Sequence, residues 1–320
     1  PVPTESASVR PSTVARRRRL RRWVGGAVVA VAIVGLLVLA AIPPMVTGPM
    51  IRGPIAFAHT YAPEDAGLSP EPVVLRTEDG LDLAAYMVHV PSPAALVVFA
   101  SGTHGPSVTA FYGHAAMLAE AGYASLLVEL RARGDSQGDR IGLAYGEVWD
   151  LQAAVHHLVA DAAYAGVPIV VFGLSLGGAA AINAAGVTPA ITGVVSLSAF
   201  SSWGGVFVDN MGLPEPLATL QRAFVEAYVG LVFGFGRREL TPDRQIERLG
   251  ERPALLIHTR GDTQVPFASF ERLVERAPSH VETWVREGDR HLVVAEGSFL
   301  RPWEDAEYAE VVLGFLGRHF

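Results

Sequence analysis

The sequence contains no cysteine and no lysine. All 25 of its basic residues are arginines. Disulfides, thiolate nucleophiles and zinc sites with thiolate ligands are therefore excluded, as are a lysine base and a lysine Schiff base. The exclusive use of arginine, together with abundant alanine, glycine and valine, is typical of a GC-rich bacterial genome and indicates no particular chemistry.

Positive charge is scarce except near the start of the chain. The 320 residues carry a net charge of −7, and 50% of them are hydrophobic. The residues before Trp23 hold seven arginines and one glutamate, a net +6, so the remainder carries −13. Nucleic-acid binding requires a basic surface, so the acidic remainder excludes nucleic acid as a partner. The apolar half of the chain is enough to form a full hydrophobic core.

The N-terminal region predicts a membrane anchor. Residues 1–22 are expected to be a disordered basic segment. No charged residue occurs in residues 23–42, and about 20 apolar residues are enough to cross a bilayer as a helix. Arginines favour the cytoplasmic side, so we expect a single-pass helix in the cell membrane, with a cytoplasmic N-terminus and an extracytoplasmic remainder. A cleaved signal peptide, whose apolar part is usually shorter, and a buried core helix are the alternatives.

The rest of the chain predicts a linker and one α/β domain. Residues 43–72 are rich in proline and lack a clear periodicity, which indicates a linker. In residues 73–320, short apolar runs alternate with helical stretches, and this favours a mostly parallel sheet covered by helices on both faces. Residues from about 200 to 250 interrupt the alternation with aromatic residues and two amphipathic stretches, so we expect a small helical lid there. The alternative is that these aromatic side chains only fill the core.

The strongest chemical signal is the run Gly173-Leu174-Ser175-Leu176-Gly177. It follows the apolar stretch Ile169–Phe172 and precedes an alanine-rich helical stretch. A Gly-x-Ser-x-Gly turn between a strand and a helix presents the serine hydroxyl at a sharp turn, and the glycines permit close approach of neighbouring backbone. An ordinary turn with a capping serine is the alternative, but the flanking strand and helix favour Ser175 as a nucleophile.

A serine nucleophile needs a base, and the base needs an acid that orients it. His291 follows the last predicted strand in a glycine-containing loop, and Asp262 follows the preceding strand in a turn. We therefore predict Ser175, Asp262 and His291 as the catalytic residues, in the chain order serine, acid, histidine. Other candidates are less suitably placed. His258 lies inside a strand, His280 begins the last strand and His319 is at the chain end. The acid Asp289 is too near His291 in sequence to orient it.

Acyl transfer also requires two backbone N–H groups that hold the developing oxyanion. Leu176 is the first candidate, because it follows the nucleophile and opens a helix, whose N-terminal N–H groups point towards the site. The second donor is expected in the loop after the strand Leu96–Ala100, and we predict Thr103 from its place after Gly102. His104 is a close alternative for this donor, or else an exposed residue.

Two further stretches carry a resemblance to a known superfamily. Glu129–Gly138 is similar to the Asp-x-Arg-Gly-x-Gly-x-Ser-x-Gly run of α/β-hydrolases, and Tyr145–Leu151 is similar to the segment that opens their next helix. With Gly173–Gly177, they make residues 70–320 resemble the α/β-hydrolase superfamily, and within it serine aminopeptidase-like and Bem46-like membrane hydrolases.

The resemblance implies an eight-stranded sheet and hydrolysis of an acyl bond, without a metal ion or an organic cofactor. The chain departs from the usual pattern at three positions: Glu129 for aspartate, Ala132 for glycine, and Ser101 for histidine. The aromatic lid and the membrane helix favour a small-molecule or lipid-like ester as the substrate. A peptidase or amidase of the same fold and a non-catalytic, membrane-tethered binding protein are the alternatives.

Overall fold

A computed structural model describes residues 13–237 and 239–320. Within these residues, eight strands form one sheet: β1 (Glu71–Arg76), β2 (Asp82–Val88), β3 (Leu96–Ala100), β4 (Ala124–Val128), β5 (Ile169–Leu174), β6 (Gly193–Leu197), β7 (Ala254–Thr259) and β8 (Glu282–Arg286). Their spatial order is β1-β2-β4-β3-β5-β6-β7-β8. Strands β3 to β8 run parallel to one another, whereas β2 is antiparallel to both β1 and β4. The predicted eight-stranded, mostly parallel sheet is confirmed.

The sheet is covered by helices on both faces. The α-helices of the described residues are α1 (Thr13–Met50), α2 (Tyr112–Glu120), α3 (Glu147–Ala160), α4 (Leu176–Val187), α5 (Trp203–Met211), α6 (Leu217–Phe233), α7 (Pro242–Gln245), α8 (Phe267–Arg276), α9 (Glu296–Leu300) and α10 (Ala306–His319). Helices α3, α4 and α8 contribute to the core on one face, and α2 and α10 contribute to the core on the other.

Strand β3 shows how the two cores are divided. All five of its residues are buried. Leu96 and Val98 pack with the core that contains α3 and α4, whereas Val97 and Phe99 pack with the core that contains α2 and α10. Alternate side chains of a strand point to opposite faces, so a sheet covered on both sides needs a continuous apolar run. Burial of a side chain such as Phe99 contributes about 1.5–3 kcal/mol.

Helix α1 extends beyond the predicted membrane segment, residues 23–42, at both ends. It covers Thr13–Met50, so the end of the segment predicted to be disordered, residues 1–22, and the start of the predicted linker, residues 43–72, are helical. The remaining part of the former segment lies outside the described residues. Among the described residues, one helical stretch, Arg16–Met50, is long and apolar enough to cross a membrane.

The helical start of the predicted linker contains three prolines, Pro43, Pro44 and Pro49. A proline removes one hydrogen bond from a helix and its ring crowds the preceding turn, so a proline-rich stretch usually ends a helix. Here Pro43 and Thr47 are buried against the rest of the protein. Tertiary packing of this helix face offsets the lost hydrogen bonds, and local sequence pattern does not reveal such packing.

Three helices lie between β6 and β7, in the region where we predicted a lid. Helices α5 and α6 pack against each other, α7 packs against α4, and α6 also contacts α1. Helix α5 was not predicted from the sequence. It is capped by Ser202, whose hydroxyl accepts a hydrogen bond from the backbone N–H of Gly205 at 3.0 Å.

Candidate active site

Ser175 lies at the turn between β5 and α4. Its backbone angles, φ 57° and ψ −117°, fall in a region that residues other than glycine rarely adopt. The backbone N–H of Ser175 donates a hydrogen bond to the carbonyl oxygen of Leu197 at 2.7 Å, which ties the turn to the end of β6. The sharp turn places the side chain at the carboxyl edge of the sheet, where it lines a cavity.

Two glycines allow this turn to form. A Cβ on Gly173 would lie 2.2 Å from the backbone of Gly177, and a Cβ on Gly177 would lie 2.2 Å from the carbonyl oxygen of Ala100. Both positions would overlap backbone atoms of close-packed elements, which cannot move aside. The glycines therefore permit the close approach of β5, α4 and β3 that brings Ser175 beside the loop after β3.

His291 and Asp262 meet through the loops that follow β8 and β7. Nδ1 of His291 lies 2.7 Å from Oδ2 of Asp262, so the imidazole donates a hydrogen bond to the carboxylate. The other carboxylate oxygen accepts hydrogen bonds from the backbone N–H groups of Gln264 at 2.8 Å and Val265 at 3.0 Å. These three donors fix the carboxylate, and the carboxylate in turn orients the imidazole.

The environment of Asp262 keeps its carboxyl group ionised although it is buried. Burial tends to raise the pKa of Asp262, but the hydrogen bond and charge of His291 and the N–H groups of Val265 and Gln264 outweigh burial. They lower its pKa below the ordinary value of 3.8. An ionised carboxylate that accepts from Nδ1–H favours the tautomer in which Nε2 can accept a proton.

Two contacts that sequence reasoning missed hold the histidine loop. The backbone N–H of Gly261 donates to the carbonyl oxygen of Gly288 at 2.8 Å, and a Cβ on Gly261 would lie 2.6 Å from that oxygen. The hydroxyl of Ser198 donates to the carbonyl oxygen of His291 at 2.7 Å. The position of Ser198 directly after β6, at the same sheet edge, is the one sequence signal for this role.

The two predicted oxyanion donors, Leu176 and Thr103, belong to the two segments that adjoin Ser175. Leu176 is the first residue of α4, where backbone N–H groups have no partner within the helix. Thr103 lies in the loop after β3 and lines the same cavity as Ser175. A Cβ on Gly102 would lie 3.5 Å from Cβ of Ser175, so this loop passes directly beside the serine. Donation by both N–H groups to one oxygen stays a prediction.

A buried arginine supports the loop that contains Thr103. Nε of Arg133 lies 3.2 Å from the carbonyl oxygens of both Gly102 and Thr103. The guanidinium also pairs with Glu147 at 3.4 Å, and the two side chains are 1% and 0% exposed. Because a guanidinium presents several N–H donors in a fixed plane, it can bind the loop and the carboxylate together. Arg133 lies in the run that resembles α/β-hydrolases, but its contacts were not predicted.

Ser175 and His291 line one cavity of about 470 Å³. Its walls are mostly apolar, with a few polar groups, which is typical of a small-molecule site. The lining residues are Ile42, Val46 and Met50 from α1; Thr103, His104 and Gly105 after β3; Phe200, Trp203, Val206, Phe207, Asn210 and Met211 before and within α5; and Gln264 and Val265 after β7. The region predicted as a lid therefore forms one wall through α5, and α1 forms another.

A second cavity of about 370 Å³ adjoins the first. The two cavities share four lining residues: His104, Gly105, Gln264 and His291. The second cavity is also lined by His59, Ser107 and Glu296, so it has a more polar wall. The imidazole of His291 thus lines both a mainly apolar cavity and a more polar one.

The other candidates considered in the sequence lie in different surroundings. His258 is buried in β7, where its Nε2 donates a hydrogen bond to the carbonyl oxygen of Val265 at 2.9 Å and lies 3.8 Å from Oδ2 of Asp262. His280 and His319 bond to groups near the protein surface, and Asp289 is exposed. Of these residues, none lines the cavity that contains Ser175.

Residues 91–239 match the serine aminopeptidase S33 family. This match includes β3, the run that contains Arg133, the turn at Ser175 and most of the region predicted as a lid. It ends before Asp262 and His291.

Several solved hydrolase structures share the fold of the chain. An esterase from Pyrococcus furiosus aligns with a TM-score of 0.65 and 21% identity, over 84% of this chain and 99% of its own. The esterase domain of a Rhodothermus marinus protein aligns with a TM-score of 0.54 and 22% identity, over 79% and 99%. A puromycin-hydrolyzing peptidase of Mycobacterium tuberculosis aligns with a TM-score of 0.58 and 20% identity, over 79% and 40%.

Proposed function

We propose that the chain is a serine hydrolase of the α/β-hydrolase superfamily that cleaves carboxylic esters through Ser175, His291 and Asp262. The observation that carries this proposal is the 2.7 Å hydrogen bond from His291 to Asp262, at the wall of the cavity that Ser175 also lines. Acyl transfer requires these parts: a nucleophile, a base beside it and an acid that orients the base.

The reaction begins when Oγ of Ser175 attacks the ester carbonyl carbon and His291 takes the hydroxyl proton. The N–H groups of Leu176 and Thr103 stabilise the charge that develops on the carbonyl oxygen, and loss of one such donor typically costs about 10²–10³ in rate. His291 then gives its proton to the departing alcohol, which leaves an acyl-enzyme. A water molecule, deprotonated by His291, attacks the acyl carbon, and collapse of this intermediate releases the acid and free Ser175.

The two cavities favour an ester with an apolar acyl group. The walls of the larger cavity, which contains Ser175, are mostly aliphatic and aromatic, and they suit a hydrocarbon chain. The adjoining cavity, with its more polar wall, suits the alcohol part of the substrate. Among proteins of the same fold, those from Pyrococcus furiosus and Rhodothermus marinus are esterases.

A peptidase or amidase is the second candidate function. It is favoured by the match of residues 91–239 to serine aminopeptidases and by the fold shared with the puromycin-hydrolyzing peptidase. Nitrophenyl esters and aminoacyl anilides offered to the same protein separate the two functions. We expect esters to be preferred, and a higher kcat/KM for the anilides would make the peptidase the better assignment.

We also propose that α1 anchors the protein in the cell membrane. The most apolar 18-residue window of this helix has a mean hydropathy of 2.7 and is 0% buried. Arg16–Arg22 precedes this apolar stretch, and arginines are retained on the cytoplasmic side, so the hydrolase domain lies outside the cytoplasm. Digestion by protease added to intact spheroplasts tests this orientation. Protection of the domain until the cells are lysed would contradict it.

Covalent labelling with a fluorophosphonate probe tests the proposed nucleophile. We expect the full chain to be labelled and Ser175→Ala to be unlabelled, because the probe traps a serine that a base has activated. Ser69→Ala is the matched control, since Ser69 is an exposed serine before β1, and it should label like the wild type. A wild type that is not labelled, or a Ser175→Ala variant that is, would instead support a non-catalytic binding protein.

A further inference from the structure

Helix α1 has two parts with different surroundings. From Leu20 to Val38 its large apolar side chains are exposed, with Leu20 63% and Val38 56% exposed. Pro43 and Thr47, near the other end, are buried. Nε1 of Trp203 donates a hydrogen bond to Oγ1 of Thr47 at 3.2 Å, which joins α1 to the start of α5. The helix therefore projects an apolar surface at one end and is docked on the domain at the other.

The docked end of α1 is held at the proposed active site. Nε2 of His104, in the loop beside Ser175, donates a hydrogen bond to the carbonyl oxygen of Met50 at 3.0 Å. The carbonyl oxygen of Ile51 accepts from the backbone N–H of Ile141 at 2.8 Å, and Ile51 is buried. The chain thus enters the domain directly from the helix, without a flexible tether between them.

Three residues of α1 form a wall of the cavity that contains Ser175: Ile42, Val46 and Met50. They are spaced four residues apart, so they lie on one face of the helix. Val46 lines the cavity although its side chain is 45% exposed, which places it at the mouth. The apolar surface of the helix therefore continues into the cavity.

The mouth of the cavity also coincides with the end of the proposed membrane span. The uncharged residues 23–42 make a helix of about 30 Å, at about 1.5 Å per residue, which matches the hydrocarbon core of a bilayer. Ile42 ends this span and begins the cavity wall. In a membrane-anchored chain the cavity therefore opens at the bilayer surface, along α1.

We propose that the substrate is a long-chain acyl ester resident in the membrane, and that its acyl chain enters the cavity along Ile42, Val46 and Met50. This inference rests on the proposed function and narrows its substrate class. The acyl chain would pass from the lipid into an apolar cavity without contact between its methylene groups and water. Such contact is unfavourable. Helix α1 is then part of the acyl-binding site as well as the anchor.

Two substitutions on adjacent residues of α1 test the role of the cavity wall. Val46→Trp places a large ring at the cavity mouth, whereas Met45→Trp is the matched control, because Met45 is 73% exposed and does not line the cavity. The full chain is reconstituted in phosphatidylcholine vesicles and assayed with nitrophenyl acetate and nitrophenyl palmitate. We expect Val46→Trp to lower the ratio of palmitate to acetate kcat/KM by about tenfold or more, since blocking a hydrophobic pocket discriminates on this scale. Met45→Trp should leave the ratio unchanged.

Entry from the membrane is tested with a fluorogenic long-chain diacylglycerol, chosen because such lipids exchange slowly through water. The lipid is placed either in the vesicles that carry the protein or in separate vesicles mixed with them. We expect hydrolysis to be at least about tenfold faster when protein and lipid share a membrane. Equal rates would show that substrate reaches the site through water, and would overturn the proposed entry.

These outcomes separate the two proposals. If the wild type labels with the fluorophosphonate and cleaves esters, but Val46→Trp and Met45→Trp have the same substrate ratio, the role of α1 in acyl binding is wrong and the esterase stands. If both variants lower acetate and palmitate cleavage equally, the effect is on folding and the acyl-site role is likewise contradicted. A wild type that is neither labelled nor active would overturn both proposals.

Discussion

Nε of Arg133 lies 3.2 Å from the carbonyl oxygen of Thr103, so a buried guanidinium holds the loop whose N–H is proposed to bind the oxyanion. The same nitrogen reaches the carbonyl oxygen of Gly102, and Nη1 reaches Glu147. Glu147 in turn accepts hydrogen bonds from the backbone N–H groups of Gly142 and Ala144. A charged pair in the interior therefore holds the loop beside Ser175, in addition to the contact of His104 with Met50.

Replacement of this guanidinium should impair catalysis more than binding. In Arg133→Lys, a single ammonium cannot bind both Glu147 and the loop after β3 that contains Gly102 and Thr103, the oxyanion loop. The oxyanion loop therefore loses its position. We expect kcat to fall by about 10², the cost of a small misplacement of a catalytic group, with little change in KM. Kinetics on a soluble short-chain ester provide the measurement.

Arg131→Lys is the matched control for this substitution. Arg131 lies in the same run and is also buried, but it pairs with Asp150 and Asp79 and does not contact the oxyanion loop. The Arg131→Lys substitution should lower the melting temperature of the protein and largely preserve kcat. Equal losses of kcat in the two variants would show that Arg133 acts only through the stability of the fold.

Asp262→Asn should remove most of the activity. An amide cannot hold the Nδ1–H tautomer of His291 as a carboxylate does, and the corresponding change in a serine protease lowers kcat by on the order of 10⁴. Asp289→Asn changes an exposed acid in the loop of His291 and should have no such effect. If both variants lost activity, the loss would be due to a disturbed loop and not to removal of the carboxylate at position 262.

The same substitution predicts a pH dependence of stability. The folded-state pKa of Asp262 is lowered below 3.8, so its carboxylate contributes stability that is fully present above pH 3.8 and is lost as the pH falls through the lower folded pKa. The difference in unfolding free energy between the wild type and Asp262→Asn should thus be present at about pH 5 and shrink as the pH falls below 3.8. Urea titrations across this range measure it. A difference that grows towards low pH would contradict the assignment of the shift.

Gly177→Ala should destabilise the protein by about 3 kcal/mol, the upper end for overpacking of a closely packed site. The added Cβ would lie 2.2 Å from the carbonyl oxygen of Ala100, a backbone atom held by two neighbouring strands. Gly317→Ala, in α10, is the control, because a Cβ there meets nothing within 4 Å, and it should stabilise by about 0.5–1 kcal/mol. Urea denaturation compares the two, and similar values for both would show that the turn has room for a side chain.

The mostly parallel sheet, and the shared edge at which the proposed catalytic residues lie, could be predicted from the sequence for one physical reason. Ser175, Asp262 and His291 each follow a buried apolar run, and parallel strands bring their carboxyl ends to one edge. Their positions directly after strands therefore predicted that the three residues lie at the same edge of the sheet, although they are up to 116 positions apart in the sequence.

Contacts between loops and faces of different elements could not be predicted in the same way. The bond from Ser198 to the His291 carbonyl depends on the path of a loop, and so do the contacts of Arg133 with the oxyanion loop. The extent of α1 was predicted wrongly at its far end because local sequence showed only prolines, whereas the packing that retains the helix involves Trp203, 156 residues away from Thr47.

That contact between Thr47 and Trp203 should hold the docked end of α1 in place. Thr47→Val keeps the shape of the side chain but leaves the indole N–H of Trp203 without its acceptor in a buried site, which costs about 1–3 kcal/mol. Trp203→Phe removes the donor, and the double variant should be less destabilised than the sum of the single variants by about 1 kcal/mol, since no partner is then left unpaired.

The local consequence is measured by amide hydrogen exchange. Residues 43–50 of Thr47→Val should exchange faster than in the wild type, because the opening of this segment then costs less free energy. Residues of β5, which lies in the centre of the sheet, should exchange at an unchanged rate and serve as the internal control. The Val46 wall of the cavity would open with the segment, so activity on palmitate should fall more than activity on acetate. Unchanged exchange in residues 43–50, with additive effects of the two substitutions, would mean that the other contacts of α1 hold it and that the hydrogen bond between Thr47 and Trp203 contributes nothing to its position.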